Sequence, residues 1–424
     1  MGINTELFNF IKHSPSAYHT VASVRDMLLS CGFVELSLGD EWHLSDGKGY
    51  FVVKNGTSII AFKAKNNANG FMIAASHSDF PSFRLKFSPE TSGSYTRLLV
   101  EGYGGMINYS WLDRPLSAAG RVVVRTERGI ETRLVNIDRD VAVIPSVAIH
   151  LNRGVNDGYK FNRAIDMLPL VASAGEDGFV MTEIAKLVGV SAEDIISHDL
   201  FLYNRDGGRV FGANDEFILS PRLDDLGCVF ASLKAFLSAN ATASIPVLAV
   251  FDNEEVGSET KQGAASAFLL DTLKSISGNS YLKMLENSFM VSADNAHAKH
   301  PNHPELADAE NAPVLNGGVV IKWNANQKYA TDGVSDAIFR TLAKRCGAKL
   351  QTYYNRADML GGSTLGSISN TVVSMPTVDI GLPQLAMHSA METAGARDLS
   401  EMIKVLTELF STSLKIKENG IEFQ

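Results

Sequence analysis

The 424-residue sequence predicts an α/β protein in which a mostly parallel sheet is flanked by helices and interrupted by a β-rich insertion. From residue 220 onward, apolar runs of strand length alternate with helical patterns, which is typical of a parallel sheet. A similar apolar run at 71–75 lies far upstream and also ends in polar residues. The stretch between the two regions contains mainly short strands and turns. We therefore predict one α/β domain formed by residues 1–90 and 215–424, with residues 91–214 as the insertion.

The first part of the α/β domain begins with two helices. Apolar residues recur at helical spacing over 4–31, and Ser14-Pro-Ser16 interrupts the pattern. Strands at 51–53 and 58–62 are joined by Asn55-Gly56, a strong hairpin signal. The apolar run at 71–75 is predicted to be the next strand.

The insertion and the second part of the domain differ in pattern. In the insertion we predict strands at 96–100, 121–125, 132–137 and 141–147, and one helix at 180–188. In the second part, helices and strands alternate in the order helix 226–237, strand 245–251, helix 263–276, strand 289–292, helix 331–345, strand 371–380 and helix 401–414.

Composition and charge exclude several classes of partner. The formal net charge is −9 and no cluster of Lys or Arg stands out, which argues against nucleic-acid and anionic-membrane binding. Cys31, Cys228 and Cys346 are far apart and form no CxxC pair, as expected in a reducing compartment. There is no secretory signal and no apolar run of about 18 residues, so we predict a cytoplasmic protein.

The strand predicted at 245–251 ends in a group of carboxylates, Asp252, Glu254 and Glu255. In open α/β sheets, ligands bind beyond the carboxyl ends of the strands. Neighbouring glutamates repel each other, and a divalent metal ion relieves that repulsion. One glutamate could bind the metal while the other acts as a general base on metal-bound water. A solvated acidic turn is the alternative interpretation.

Other metal-binding residue types lie at comparable places: His77 after the strand at 71–75, Asp224 at a helix start, Asp294 after the strand at 289–292, and His388 beyond the last strand. These nitrogen and oxygen donors suit zinc, manganese or cobalt. The charges of Asp224, Glu255 and Asp294, together with a bridging hydroxide, balance two divalent cations. The sequence therefore predicts two metal ions per subunit.

Each of these residues also has an ordinary structural explanation. A histidine after a strand can be a surface or core residue, and Asp294 can belong to a turn. Asp224, with Asp225, could cap a helix and interact with its dipole. Asp79 favours the metal interpretation, because a carboxylate two residues after His77 can accept the second ring N–H.

Two further motifs were considered. Gly361-Gly-Ser-Thr-Leu-Gly366 resembles a nucleophile elbow, but Leu365 occupies the place of the required second glycine. His297, His300 and His303 have two prolines nearby, Pro301 and Pro304, and form either a loop at the mouth of the site or an ordinary turn. No Walker or Rossmann fingerprint follows any predicted strand.

The sequence resembles the aspartyl aminopeptidase family of metallo-aminopeptidases over nearly its whole length. The motifs that carry the resemblance are Ser76-His-Ser-Asp-Phe-Pro-Ser82, Ile144-Pro-Ser-Val-Ala-Ile-His-Leu-Asn-Arg153, Ser220-Pro-Arg-Leu-Asp224, Phe251-Asp-Asn-Glu-Glu-Val-Gly-Ser258, Ser292-Ala-Asp-Asn-Ala-His297 and Gln384-Leu-Ala-Met-His-Ser389. The resemblance implies a split, zinc-peptidase-like catalytic domain, a β-rich dimerisation or lid domain, and a dimer-based, dodecameric homo-oligomer. One departure is Asp225, where family members commonly have asparagine.

The resemblance also implies roles for single residues. Asp224 would bridge two metal ions, usually zinc, with His77 and Asp294 on one ion and Glu255 and His388 on the other. Glu254 would be the general base. Substrate peptides with acidic N-terminal residues would contact Lys322, Tyr329 and, from the neighbouring subunit, His150.

Several alternatives stay open at this point. Lys322 could be an edge-strand lysine, and His150 could be a strand-end histidine packed within its own domain. Another two-metal amide hydrolase, such as a dipeptidase or deacylase, fits the same ligands. A non-catalytic scaffold fits less well, because it predicts the loss of Glu254 or a ligand.

Overall fold

The computed structural model describes residues 2–91, 93–175, 178–240 and 242–424. These residues form two compact units: a larger one of residues 1–79, 208–387 and 392–424, and a smaller one of residues 80–207 and 388–391. The helices in the described residues are α1 (Ile3–Lys12), α2 (Ala17–Ser30), α3 (Arg163–Asp166), α4 (Phe179–Val188), α5 (Leu223–Ser238), α6 (Phe268–Ser277), α7 (Tyr281–Leu285), α8 (Gly333–Cys346), α9 (Leu365–Ser369) and α10 (Asp398–Phe410).

The strands fall into sheets that stay within one unit. The first eleven are β1 (Val34–Leu36), β2 (Gly49–Lys54), β3 (Ser58–Lys63), β4 (Phe71–His77), β5 (Ser82–Thr91), β6 (Tyr95–Tyr103), β7 (Leu116–Thr126), β8 (Gly129–Asn136), β9 (Leu170–Ser173), β10 (Ile195–Asn204) and β11 (Arg209–Phe211). The others are β12 (Phe217–Ser220), β13 (Ile245–Phe251), β14 (Phe289–Ala293), β15 (Ala296–His297), β16 (Val319–Trp323), β17 (Leu350–Tyr354), β18 (Thr377–Gly381), β19 (Pro383–Leu385), β20 (Glu392–Gly395), β21 (Leu414–Lys417) and β22 (Gly420–Phe423).

The larger unit is built on a nine-stranded sheet with the order β1-β2-β3-β13-β4-β14-β18-β16-β17. Its centre, β13-β4-β14-β18, is parallel, whereas β3 and β16 run antiparallel to their inner neighbours. This arrangement confirms the predicted α/β class. A crossover between parallel strands needs a long connection, which is why helices alternate with strands in this part of the chain.

Both faces of the sheet are covered. Alternate residues of β13, Val247 and Ala249, share a core cluster with Phe268 and Leu269 of α6. The intervening residue Leu248 is fully buried as well, and α5 and α10 also contact β4 and β13. Burial on both faces explains why the central strands are continuous apolar runs rather than alternating patterns. No helix in the described part of the chain is long and apolar enough to cross a membrane.

The smaller unit is an antiparallel sheet with the order β8-β7-β10-β5-β6-β9. Its apolar side carries a core to which Val180 and Ile184 of α4 contribute. The Glu90 carboxylate accepts the N–H groups of Gly178, Phe179 and Val180, and so caps α4. Because β5 pairs within this sheet, the β-rich unit begins before residue 91, the start predicted from the sequence.

Most predicted elements are present, and two differ in a way that proline explains. Residues 141–147 form isolated bridges rather than a strand, and Pro145 interrupts the run. The strand predicted at 371–380 is β18, which begins only after Pro376, because proline has no N–H to donate to a central sheet position. The predicted hairpin at Asn55-Gly56 is confirmed: Lys54 pairs with Ser58, and Asn55 and Gly56 in the connection between them have positive φ, 57° and 74°, which these two residue types tolerate.

Candidate metal centre

The central strands bring the candidate ligands to one edge of the sheet. β4 and β13 pair in parallel from Phe71 opposite Ile245 to His77 opposite Phe251. β14 lies on the other side of β4 and ends one residue before Asp294. The carboxyl ends of three neighbouring strands therefore meet here, as the sequence analysis expected.

His77 is almost completely buried and is surrounded by carboxylates. Its Nε2 lies 3.9 Å from an oxygen of Asp224, 3.9 Å from an oxygen of Asp225 and 3.7 Å from an oxygen of Asp294. Its Nδ1 lies 3.0 Å from the backbone oxygen of Asp79 and 3.4 Å from the carboxylate of that residue. Although burial lowers the pKa of His77, the surrounding carboxylates raise it well above its usual range.

Asp224 and Asp225 stand at a kink at the start of α5. Neither has helical backbone angles, and the peptide bond between them is cis. The backbone N–H of Asp224 is 3.0 Å from the carboxylate of Glu392, and the carboxylate of Asp225 accepts the backbone N–H of His77 at 3.1 Å. Burial, together with the charges of Asp294 and Asp224, raises the pKa of Asp225 well above its usual range.

Asp294 is paired with a buried lysine. The ammonium group of Lys322 lies 2.8 Å from the backbone oxygen of Asp294, 3.3 Å from its Oδ2 and 3.3 Å from the backbone oxygen of Asn295. Although burial raises the pKa of a carboxyl group, Lys322 and His77 hold the pKa of Asp294 below its usual range. Lys322 Nζ is also 5.2 Å from the ring centre of Tyr329. Burial raises the pKa of this tyrosine to about 12.

Glu254 and Glu255 lie in a sharp turn after β13 that begins at Asn253, whose φ is 61°. The Asp79 carboxylate accepts the backbone N–H groups of both glutamates, each at 3.2 Å. On the other side, the Gln262 amide donates to Asp252 at 3.1 Å and to the Asn253 side chain at 2.9 Å. The turn is therefore fixed by hydrogen bonds from two sides, those to Asp79 and those from Gln262. Burial raises the pKa of Glu254 to about 8.

The donor set fits a metal ion. Ligand atoms of His77, Asp224, Asp225 and Asp294 lie within 4.8 Å of one another, as do those of His77, Glu254 and Glu255. All are nitrogen or oxygen donors, which suits zinc and its neighbours rather than copper(I). The five carboxylates of these two groups around one imidazole are electrostatically unfavourable without added positive charge, as the raised pKa of Asp225 indicates. A divalent cation bound here would compensate these negative charges and favour the ionised form of the carboxylates.

The other predicted site residues are His388, His150 and Lys322. His388 belongs to the 388–391 segment of the smaller unit, where its Nδ1 is 3.1 Å from the carbonyl oxygen of Gly105 and its φ is 67°. His150 lies in an exposed turn of the same unit, so its interpretation as a strand-end histidine packed within its own domain is wrong. The edge-strand interpretation of Lys322 is also wrong, because β16 is paired on both sides and the lysine is only 2% exposed.

Sequence reasoning missed two features of the centre. The sequence indicates for Asp225 only a possible helix cap and a departure from the family motif, yet its carboxylate is part of the four-residue group. The only local signal was its position next to Asp224. Gln262 carries no local sequence signal, because it lies ten residues from the Asp252 carboxylate to which it donates.

Comparison with known proteins gives consistent matches. The sequence model of the family described as aminopeptidase I zinc metalloprotease (M18) matches residues 10–410. The protein named probable M18 family aminopeptidase 2 of Clostridium acetobutylicum is 43% identical over 423 residues, covering 96% of this chain and 98% of the relative.

Solved structures agree with the sequence matches. A chain of the cryo-electron-microscopy structure of the Ape4 and Nbr1 complex has a TM-score of 0.92 and 35% identity, covering 96% of this chain and 85% of that chain. The S. cerevisiae mApe1 dodecamer has a TM-score of 0.84 and 28% identity, covering 96% of each chain. The similarity extends over both units.

Proposed function

Because this chain belongs to the aminopeptidase I zinc metalloprotease (M18) family and is a metallo-aminopeptidase, we propose that it uses two divalent metal ions per subunit to remove N-terminal residues, preferentially Asp or Glu, from peptides. The buried group of His77, Asp224, Asp225 and Asp294 carries the proposal, since its ligand atoms lie within 4.8 Å of one another. Zinc is the proposed ion, with manganese or cobalt as alternatives.

The proposed ligands divide between the two ions. His77 and Asp294 would hold one ion, Glu255 and His388 would hold the other, and Asp224 would be shared by both. When bound, the ions would polarise the scissile carbonyl and activate water.

Glu254 is proposed to move the proton. It takes the proton from the attacking water and passes it to the leaving amine. Two observations support this role. The Asp79 carboxylate fixes the backbone of Glu254, and burial raises the pKa of Glu254 to about 8, a shift that nearby cations would oppose.

The acidic preference is the finer part of the proposal. An acidic side chain needs a cation, and Lys322 is a buried cation beside the metal group. Tyr329, close to the same ammonium group, is proposed to contact the substrate as well. Since the three nearest oxygens of Lys322 belong to Asp294 and Asn295, an acidic substrate would share this lysine with a metal ligand.

His150 and the smaller unit are assigned to contacts between subunits. The turn that carries His150 exposes apolar residues, among them Leu151 at 83%, which is unusual unless a partner covers them. We propose that this segment contacts a second copy of the chain and that His150 donates a hydrogen bond to the substrate carbonyl there. The mApe1 dodecamer supports a dimer-based, dodecameric homo-oligomer. Three free cysteines fit the proposed cytoplasmic location.

One assay tests the central proposal. Purified protein is dialysed against a chelator, reloaded with Zn²⁺, Mn²⁺ or Co²⁺, and assayed on a panel of N-terminal aminoacyl substrates. We expect dialysis to abolish turnover and at least one ion to restore it, with the fastest turnover for Asp or Glu. Persistent activity after exhaustive dialysis would contradict the metal requirement. Activity only on N-acyl amino acids or only on dipeptides would favour a deacylase or dipeptidase.

A further inference from the structure

A cleft of about 270 Å³ lies in the larger unit between the 297–313 segment and the 353–360 segment. Its lining includes two cationic side chains, those of Lys299 and Arg356, and three imidazoles, those of His297, His300 and His303. None of its lining residues is Asp or Glu. The whole chain has a net charge of −9. A cleft lined by cations and imidazoles in an acidic protein favours an anionic ligand.

The histidines of the cleft are arranged as hydrogen-bond donors rather than as metal ligands. Among the described residues, no group of potential metal ligands within 4.8 Å includes His297, His300 or His303. His300 Nδ1 accepts the backbone N–H of Asn302 at 3.2 Å, so its Nε2 carries the proton. His303 Nδ1 lies 3.1 Å from Glu305 Oε1.

A continuous series of contacts joins the cleft to the metal centre. The Lys322 ammonium group, bonded to Asp294, lies 5.2 Å from the ring centre of Tyr329. The ring of Tyr329 is 6.5 Å from that of Tyr353, which is 6.1 Å from the imidazole of His297. Both Tyr353 and His297 line the cleft. The cleft therefore begins one aromatic layer beyond the proposed specificity residues.

The rest of the lining defines the ligand more closely. Leu306, Met359 and Leu360 give the cleft an apolar wall, and Leu360 is fully exposed. The guanidinium of Arg356 is paired with Asp358, whereas Lys299 has no carboxylate partner among the residues described. The ligand would thus combine apolar side chains with a carboxylate that can reach Lys299.

We propose that this cleft holds the part of a peptide substrate that follows the scissile bond, and that Lys299 attracts the C-terminal carboxylate of the peptide. The inference deepens the proposed aminopeptidase function and rests on it. A short peptide meets both requirements of the cleft, because it carries apolar side chains and ends in a carboxylate. Its N-terminal residue would occupy the metal side of the aromatic layer and its remaining residues the cleft.

The test compares three substrates with the same N-terminal residue in the metal-loaded enzyme. They are an aminoacyl p-nitroanilide, which has no residue after the scissile bond, a pentapeptide with a free C-terminal carboxylate, and the same pentapeptide as its C-terminal amide. For the wild type at low salt we expect kcat/KM to be about two- to fivefold higher for the acid than for the amide, the size of an exposed ion pair. High salt should remove the difference.

Three substitutions of Lys299 are expected to change the ratio of kcat/KM between the acid and the amide in different ways. Lys299→Met should bring the acid-to-amide ratio to one, Lys299→Glu should reverse it, and Lys299→Arg should retain it. Turnover of the anilide should be unchanged in all three. Lys283→Glu, which makes the same change of charge at an exposed position on α7, is the matched control and should leave the ratio as in the wild type.

Each other outcome has a distinct meaning. An unchanged ratio in Lys299→Glu would overturn the proposal, as would an equal loss on all three substrates. A change in particle size in the Lys299 variants would assign the cleft to a contact between subunits instead. Failure of the wild type to cleave the anilide and both peptides would refute the aminopeptidase proposal itself.

Discussion

The ammonium group of Lys322 lies 2.8 Å from the backbone oxygen and 3.3 Å from the carboxylate of Asp294. The lysine therefore compensates the charge of a candidate metal ligand, in addition to its proposed role in substrate selection. These two roles lead to different experimental outcomes. Removing one partner of a buried ion pair normally destabilises a protein by about 3–5 kcal/mol, although a bound cation would offset part of this loss at Asp294.

Lys322→Met should separate the two roles. If the lysine selects acidic substrates, kcat/KM for Asp and Glu substrates should fall by about tenfold or more relative to neutral substrates, which corresponds to about 1.4 kcal/mol. The variant is assayed on the aminoacyl panel, with metal content measured in parallel. A uniform fall across the panel would show that Lys322 serves only to hold Asp294.

Glu254→Ala and Asp224→Ala should have different effects. Glu254→Ala removes only proton transfer, so it should bind metal almost normally and lose about 10²–10⁴-fold in kcat. Asp224→Ala removes the proposed bridging ligand and should lose metal as well. Metal analysis after gel filtration checks this, and equal depletion of metal in both variants would contradict the assigned roles.

A shared active site should be detectable by complementation. His150→Ala and Glu254→Ala homo-oligomers should each be nearly inactive, whereas co-expressed mixtures should regain part of the activity. In a mixed particle, a His150→Ala subunit keeps its own metal site and base and obtains His150 from its partner. The two chains carry different tags so that mixed particles can be purified. Mixed particles as inactive as their parents would rule out sharing.

His19 should make the protein less stable as the pH falls. Burial lowers the pKa of His19 to about 4, from 6.5 in the unfolded chain. Between these values the unfolded state binds more protons, so the free energy of unfolding decreases as the pH is lowered from 6.5 to 4. The contribution of this histidine is about 3 kcal/mol, because each pKa unit corresponds to about 1.4 kcal/mol.

The measurement compares wild type with His19→Gln by denaturant unfolding at several pH values and constant zinc. The glutamine cannot be protonated, so the variant should lose less stability than the wild type over this range. Both proteins share all other titrating groups, and the difference between their curves isolates His19. Parallel curves would show that His19 titrates alike in the folded and unfolded states.

Most strands and helices that are marked by a local apolar pattern were predicted correctly. The strand Ile245–Phe251 was predicted with the bounds observed, because an apolar run buried on both faces is bounded by polar residues at both ends. The run at 141–147 was misassigned because strand propensity does not include the interruption by Pro145. Small differences at helix ends, such as α10, reflect capping details that apolar periodicity does not contain.

The candidate metal centre also has features that local sequence patterns do not predict. Residue type was sufficient to select these ligands together with position, after a strand for His77 and Asp294 and at a helix start for Asp224, and the structure places the three together. The burial of Lys322 depends on β16 being paired on both sides, which only the sheet order reveals. Asp225 joins this group where its backbone angles are non-helical, although the sequence of the segment predicts the start of a helix.

The pairing of β4 with β13 has a consequence for the tolerance of this enzyme to insertions. His77 and Phe251 are the last partners of a parallel ladder, and the N–H of Ser78 continues it by donating to the Phe251 oxygen at 2.7 Å. The register of this ladder therefore sets the position of the His77 imidazole relative to the Glu254-Glu255 turn. One extra residue within either strand would turn its later side chains to the opposite face. Metal binding and proton transfer would then disappear together, even though every functional residue was still encoded.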